Sequence, residues 1–129
     1  MNEVVLSIGS NMSPRKERVA AALSRMCGML EDAAVSDIYE TPEIYGTGRP
    51  YMNAVIAGKI NLTADELKSL TKHIELVSGR DAVARKRGDV PVDIDIVVWN
   101  GEVVRPNDYR QTFFKIGAEM LGILQRCES

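Results

Sequence analysis

Two acids, Asp93 and Asp95, stand in the run Val92-Asp-Ile-Asp-Ile-Val-Val-Trp99. Residues two apart on a strand share a face. The carboxylates therefore project together, roughly 7 Å apart along the chain. Hard oxygen ligands at this spacing suit Mg²⁺, which completes its shell with water and phosphate. The same pattern describes a half-solvated strand with two surface acids, and alternation alone leaves both readings open. Just upstream lie Arg80, Arg85, Lys86 and Arg87. Cations beside a carboxylate pair suit triphosphate binding, where metal and guanidinium share the phosphate charge. A solvated basic loop is the plainer alternative, and Asp81 and Asp89 dilute the run. Glu75, between Ile74 and Leu76, reads as a surface position one turn before a helix end. His73 is the only histidine and reads as a helix-surface residue rather than a ligand.

A second group lies in residues 41–53. Thr41, Pro42, Ile44, Tyr51 and Asn53 offer apolar walls, an aromatic ring and an amide. A flat heterocycle needs such walls and a few amide-like groups at its edge. Asn supplies both donor and acceptor, and its burial is costly unless it is paired.

These residues need elements to position them. Residues 3–8 predict a short buried strand, broken by Gly9-Ser10-Asn11. Ser13 as N-cap and Pro14 at the first helical position predict a helix to about Leu30. Its buried stripe is Val19, Leu23, Met26, Cys27 and Leu30. Residues 33–40 predict a second strand of poor alternation. Two prolines and two glycines within 41–50 make an irregular loop. Residues 51–60 predict the third strand. Thr63 and Glu66 form a capping box, with Leu62 and Leu67 as a hydrophobic staple. The helix they start buries Leu67, Leu70, Ile74 and Val77, and Gly79 ends it. Residues 92–99 are the fourth strand, with Val92, Ile94, Ile96 and Val98 turned to the helices. Asn100-Gly101 signals a turn into a hairpin through residues 102–104. A last helix is expected over 115–126. The order β-α-β-β-α-β with a C-terminal extension predicts an α+β, ferredoxin-like antiparallel sheet with both helices on one face.

At 129 residues the chain fits a single domain spanning 1–129. With a net charge of −2 it lacks the basic excess of a nucleic-acid binder. No apolar run reaches the length of a membrane span. Met1-Asn2-Glu3 leads directly into a strand rather than a signal peptide. Two cysteines make no disulfide framework, and reduced thiols in a cytoplasmic protein are expected.

Taken together, Tyr39-Glu-Thr-Pro42, Pro50-Tyr-Met-Asn-Ala-Val55, Ile74-Glu-Leu76 with Gly79-Arg80, and Val92-Asp-Ile-Asp-Ile96 resemble the 6-hydroxymethyl-7,8-dihydropterin pyrophosphokinase family of folate biosynthesis. The likeness runs from Ile8-Gly-Ser-Asn-Met12 to Asp95 with almost no gaps. It implies transfer of pyrophosphate from ATP to the hydroxymethyl group of a reduced pterin, leaving AMP, and the same ferredoxin-like fold. It also implies that Asp93 and Asp95 ligate two Mg²⁺ ions. Arg80 becomes the catalytic phosphate-binding residue. Glu75, Arg87 and Arg110 join it in ATP binding. Thr41, Pro42, Ile44, Tyr51, Asn53 and Phe113 line the pterin pocket. ATP and reduced pterin are then the partners of a monomer or weak homodimer.

Some positions depart from the family pattern. Val90 and Ala82 stand where arginines are usual, Arg87 stands where a tryptophan is, and the tail has no histidine. The tail signature appears only as Arg110-Gln-Thr-Phe113. Valine supplies none of an arginine's fixed charge and fork. Arg85, Lys86, Arg87, Arg110 and Lys115 remain to compensate. The alternative is a non-catalytic pterin- or nucleotide-binding relative. An unrelated ferredoxin-like interaction domain is the third reading.

Overall fold

The sheet is built from the middle outwards. In the computed structural model, which describes residues 1–43, 48–79 and 82–123 (the side chain of Arg85 apart), β1 (Asn2–Ser10) is the central strand. It pairs antiparallel with β4 (Tyr51–Ile60) on one side and β5 (Asp93–Trp99) on the other. β2 (Glu31–Val35) and β3 (Tyr39–Thr41) both pair with β4, and β6 (Glu102–Val103) pairs with β5. The order β2-β4-β1-β5-β6, all antiparallel, is the predicted α+β arrangement.

Alternation along β1 divides its side chains between two cores. Val4, Leu6 and Ile8 meet α1 (Arg15–Cys27) and α2 (Ala64–Val77) through Val19, Leu23, Met26, Leu67 and Ile74. The opposite face carries Val5, Val55, Val97 and Val98. It is covered at that end by Phe114 and Ala118 of α5 (Thr112–Met120), which follows the short α4 (Pro106–Tyr109). A further short helix, α3, spans Ala82–Lys86.

The capping box at Thr63 and Glu66 forms as predicted, with both reciprocal bonds present. The Asn100-Gly101 turn also forms. Both residues adopt left-handed φ, 50° and 80°, as a two-residue hairpin turn requires.

Several expectations are corrected. The second predicted strand is two strands. At Ser36 the hydroxyl, in place of a backbone carbonyl, accepts from the Val55 N–H at 2.8 Å. Val35 pairs with Ile56 and Tyr39 with Asn53, so one extra residue bulges between them. α1 begins at Arg15, because Pro14 is extended with ψ 101° and serves as the N-cap itself, and it ends at Cys27 rather than Leu30. Cys27 is exposed rather than on the buried stripe. Val77 is also exposed, since it lies at the last turn, beyond the sheet that Ile74 covers. Val98 does not share the face of Ile94. Val5 pairs with Val98 and Leu6 with Ile96, so Val97 is an inserted residue that turns the end of β5 over. The final helix starts at Thr112, three residues earlier than expected. Ile44 and Arg80, both assigned to the site from the sequence, lie outside the described residues.

Candidate active site

The half of the sheet left bare by α5 carries a row of residues set by register. Asp93 of β5 pairs with Gly9 of β1, Gly9 with Asn53 of β4, and Asn53 with Tyr39 of β3. The next row holds Asp95 opposite Ser7, and Ser7 opposite Val55. Gly9 occupies the centre without a side chain. A Cβ there would lie 2.9 Å from the Asn53 Oδ1, so only glycine leaves this amide its place.

Above this floor is a cavity of about 260 Å³, near the lower end of small-molecule sites. Thr41, Pro42, Glu43 and Tyr51 wall one side, and Phe113 of α5 stands over it. Asp93, Asp95, Arg105 and Asp108 close the other side. Asn53 is buried. Its Nδ2 donates to the Thr41 Oγ1 at 2.6 Å and more weakly to the Tyr51 carbonyl at 3.5 Å. Its amide oxygen has no hydrogen-bond partner among the described residues. A buried amide left half-paired at a cavity floor is suited to a ligand edge.

Phe113 is held over the cavity by an unusual device. The Tyr39 hydroxyl donates to the Phe113 carbonyl at 2.5 Å and accepts from the Gly117 N–H at 3.0 Å. In an uninterrupted helix those two backbone groups bond to each other. Burial pushes the Tyr39 hydroxyl up to about 12, so it remains a donor. The close approach needs glycine. A Cβ on Gly117 would sit 2.6 Å from the Val55 Cγ2 and 2.7 Å from the Tyr39 hydroxyl.

On the far side of the acid pair a groove of about 630 Å³ runs along α2 and the outer edge of β5. Lys68, Thr71, Lys72, Glu75, Ile96 and Trp99 line it, and it shares Asp93, Asp95 and Arg105 with the cavity. Glu75 is buried rather than plain surface. Its Oε2 accepts the Ile94 N–H at 2.7 Å, closing the strand edge between the two acids. His73 is exposed, as expected. Arg87 and Arg110 are exposed and line neither recess. The Arg110 Nη2 instead donates to the Asn107 Oδ1 at 2.6 Å.

The segment before β5 is held to the end of β1. Asn11 Oδ1 accepts the Val90 N–H at 2.7 Å, and its Nδ2 donates to the Gly88 carbonyl at 3.1 Å. The Asn11 N–H and the Ser10 hydroxyl both donate to the Val90 carbonyl. The Gly9-Ser10-Asn11 break thereby anchors the approach to Asp93.

The carboxylates are crowded. Burial, a hydrogen bond with Asp93 and the charge of Asp93 push Asp95 up to about 8, against the opposing pull of Arg105. Two close carboxyls that resist joint ionisation are a ready seat for a cation. Among the described residues no three potential ligands come together. Two carboxylates that line open recesses on both sides fit a hard cation that completes its shell with water and phosphate, as Mg²⁺ does.

The structure adds residues that sequence reading missed. Ser7 and Gly9 carry a faint signal, being the small positions that alternate with Leu6 and Ile8. Arg105 and Asp108 carry none. They arrive because the chain after β6 folds back, the Val97 carbonyl accepting from both Val104 at 2.9 Å and Arg105 at 3.4 Å.

Known proteins share this arrangement of sequence. The family model for 7,8-dihydro-6-hydroxymethylpterin-pyrophosphokinase matches residues 5–120. A folate synthesis bifunctional protein of Chlamydia trachomatis is 34% identical over 108 residues, 78% of this chain and 24% of that protein. A 2-amino-4-hydroxy-6-hydroxymethyldihydropteridine pyrophosphokinase of Aquifex aeolicus is 31% identical over 107 residues, 81% of this chain and 66% of the relative. Its counterpart in Porphyromonas gingivalis is 34% identical over 103 residues, 74% and 67% of the two chains. The aligned part thus spans about a quarter of the bifunctional relative and two thirds of the shorter ones. With the family model covering nearly all of it, the chain belongs to the 7,8-dihydro-6-hydroxymethylpterin-pyrophosphokinase family.

Proposed function

We propose that this chain transfers the terminal pyrophosphoryl group of ATP to the hydroxymethyl group of 6-hydroxymethyl-7,8-dihydropterin, with Mg²⁺ shared between the protein and the triphosphate. The carrying observation is the meeting of two recesses at one acid pair. We assign the flat ring to the smaller cavity on one side and the nucleotide to the larger groove on the other. In this reading the Asn53 amide and Thr41 pair with the pterin edge, and Phe113 and Tyr51 wall the ring. Asp93 and Asp95 would hold the metal, which when bound neutralises phosphate charge. Glu75, Lys68 and Lys72 border the nucleotide, with Arg80 as a further phosphate contact. The pterin hydroxymethyl oxygen bonds to the β-phosphorus. The bond from that phosphorus to the α,β-bridging oxygen breaks, its electron pair leaving with AMP. The hydroxyl proton passes to solvent. No helix among the described residues is long and apolar enough to cross a membrane, and we place the reaction in the cytoplasm.

One observation favours a second reading, that of a binding relative without turnover. Val90, in a position where the family resemblance leads one to expect arginine, is half-buried and anchored through its backbone to Asn11 and Ser10. Its side chain offers no charge. AMP release from Mg·ATP, measured with and without the reduced pterin, separates the two. Pterin-dependent AMP is expected. Tight binding of both ligands with no AMP above the pterin-free control would leave the binding reading standing.

A further inference from the structure

Among the described residues, Arg105 is the one cation that lines both recesses. Lys68 and Lys72 border only the groove. The guanidinium is gripped unequally. Its Nε donates to the Asp108 Oδ2 at 2.5 Å, whereas its Nη1 stands 3.9 Å from the Asp95 Oδ1. The first is a hydrogen bond, the second a loose ion pair. The backbone is fixed on both sides of the side chain. Arg105 N–H donates to the Val97 carbonyl at 3.4 Å, and the Arg105 carbonyl accepts from Tyr109 at 2.9 Å. About half of the side chain remains exposed (48%), while Asp95 and Asp108 are mostly covered at 23% and 19%. An arginine anchored through Nε presents its Nη edge in a set direction, the geometry that phosphate oxygens take up. Here the side chain lines both cavity and groove, with Nη1 beside Asp95.

We propose that Arg105, oriented by Asp108, is the phosphate-binding cation at the junction of the two recesses, and that in the free chain its Nη edge stands in for the metal beside Asp95. This rests on the pyrophosphokinase reading. When a metal takes Asp95, the loose contact is given up and the Nη groups turn to a phosphate oxygen of the transferring group. The tight contact to Asp108 persists. Arg105 is thus a competitor of the metal before the nucleotide arrives and a partner of it afterwards. Asp108 acts through Arg105 and is a positioning residue.

The two roles have opposite signs. Two titrations read them on the intact chain. Mn²⁺ alone is followed by electron paramagnetic resonance, and Mg²⁺ with α,β-methylene-ATP, whose scissile bridge does not break, is followed by calorimetry. Arg105→Ala is expected to bind Mn²⁺ more tightly than wild type and the Mg²⁺-analogue complex more weakly, by at least about tenfold. Arg105→Lys, which keeps the charge and loses the fork, should fall between the two in both titrations. Melting temperatures of both variants check folding, and the Lys variant serves if the Ala variant is unstable. Wild-type affinity for the analogue in Arg105→Ala overturns the assignment. Weakening of Mn²⁺ and analogue together overturns it as well, since that is the mark of a residue that merely holds the hairpin. If the wild-type chain itself fails to bind the Mg²⁺-analogue complex, the pyrophosphokinase reading falls and this assignment with it, a result distinct from the other two.

Discussion

Removing one oxygen atom, by Tyr39→Phe, tests how α5 is held over the cavity. The hydroxyl bridges the Phe113 carbonyl and the Gly117 N–H. The ring stays, so packing is conserved and the loss is polar. Each neutral bond contributes about 0.5–1.5 kcal/mol net, so the pair contributes about 1–3 kcal/mol. The lower end applies if the helix closes its own bond across the gap. A central value of about 2 kcal/mol corresponds to a fall in Tm of roughly 6–12 °C for a chain of this size. Gly117→Ala attacks the same contact from the other side. Its Cβ would overlap Val55 and the Tyr39 hydroxyl, and such overpacking costs about 1–3 kcal/mol. The two changes share a partner, so they should not add. In Tyr39→Phe the alanine meets one obstacle fewer, and the double variant should be more stable than the sum of the singles predicts. Differential scanning calorimetry of the four proteins gives the cycle. Because Phe113 rides on the bridged turn, Tyr39→Phe should also weaken pterin binding more than nucleotide binding. An unchanged Tm for Tyr39→Phe, or strict additivity, would refute the bridge.

Asp93→Asn and Asp95→Asn should each abolish magnesium-dependent nucleotide binding while leaving the Tm of the free protein equal or higher; calorimetric titration at wild-type affinity in the double variant would end the metal assignment. Asp95, pushed up to about 8, keeps in the folded chain a proton that the unfolded chain releases near 3.8. The metal-free protein should therefore lose stability as pH rises from about 4 through 8, and Asp95→Asn should flatten that slope in urea titrations at successive pH values. Asn53→Ala leaves ring-edge groups unpaired and should weaken pterin affinity about tenfold or more with little change for ATP; equal pterin affinity by calorimetry removes Asn53 from the site. Ile74→Ala, in the core, should cost about 2–5 kcal/mol, whereas exposed His73→Ala should cost little; matching melting temperatures would contradict the packing of α2.

Period and punctuation in the chain carried most of this architecture. The capping box, the Asn100-Gly101 turn and the strand over Tyr51–Ile60 are local signals, and each formed where its residues stand. Asp93 and Asp95 were legible because a strand's period of two is rigid, and Thr41, Pro42, Tyr51, Asn53 and Phe113 do line one cavity. What escaped depended on departures from that period. The inserted Val97 turned Val98 to the other face, and Ser36 replaced a ladder bond with its hydroxyl. Neither leaves a mark in hydropathy. Glu75 looked like surface because its flanking residues do not reveal that a buried N–H, that of Ile94, waits across from it. Arg105 and Asp108 reached the site through an irregular backbone that no pattern encodes.

The outer strands also bear on how these molecules behave when crowded together. An open strand invites another chain to continue the sheet. On one flank, β2 is interrupted by a register shift between Glu31 and Ala34, and Asp32 takes a left-handed φ of 53°. A kinked border with acids at Glu31 and Asp32 is a poor template for intermolecular pairing. On the other flank, β6 covers only Val98 and Trp99, yet the Glu75 carboxylate takes the Ile94 N–H, and Val104 and Arg105 fill the Val97 carbonyl. Side chains and a folded-back loop thus do the work of a missing strand. With those backbone groups already satisfied, the border beside the acids is a poor template for sheet-to-sheet growth between copies, while the groove along it stays open to small solutes.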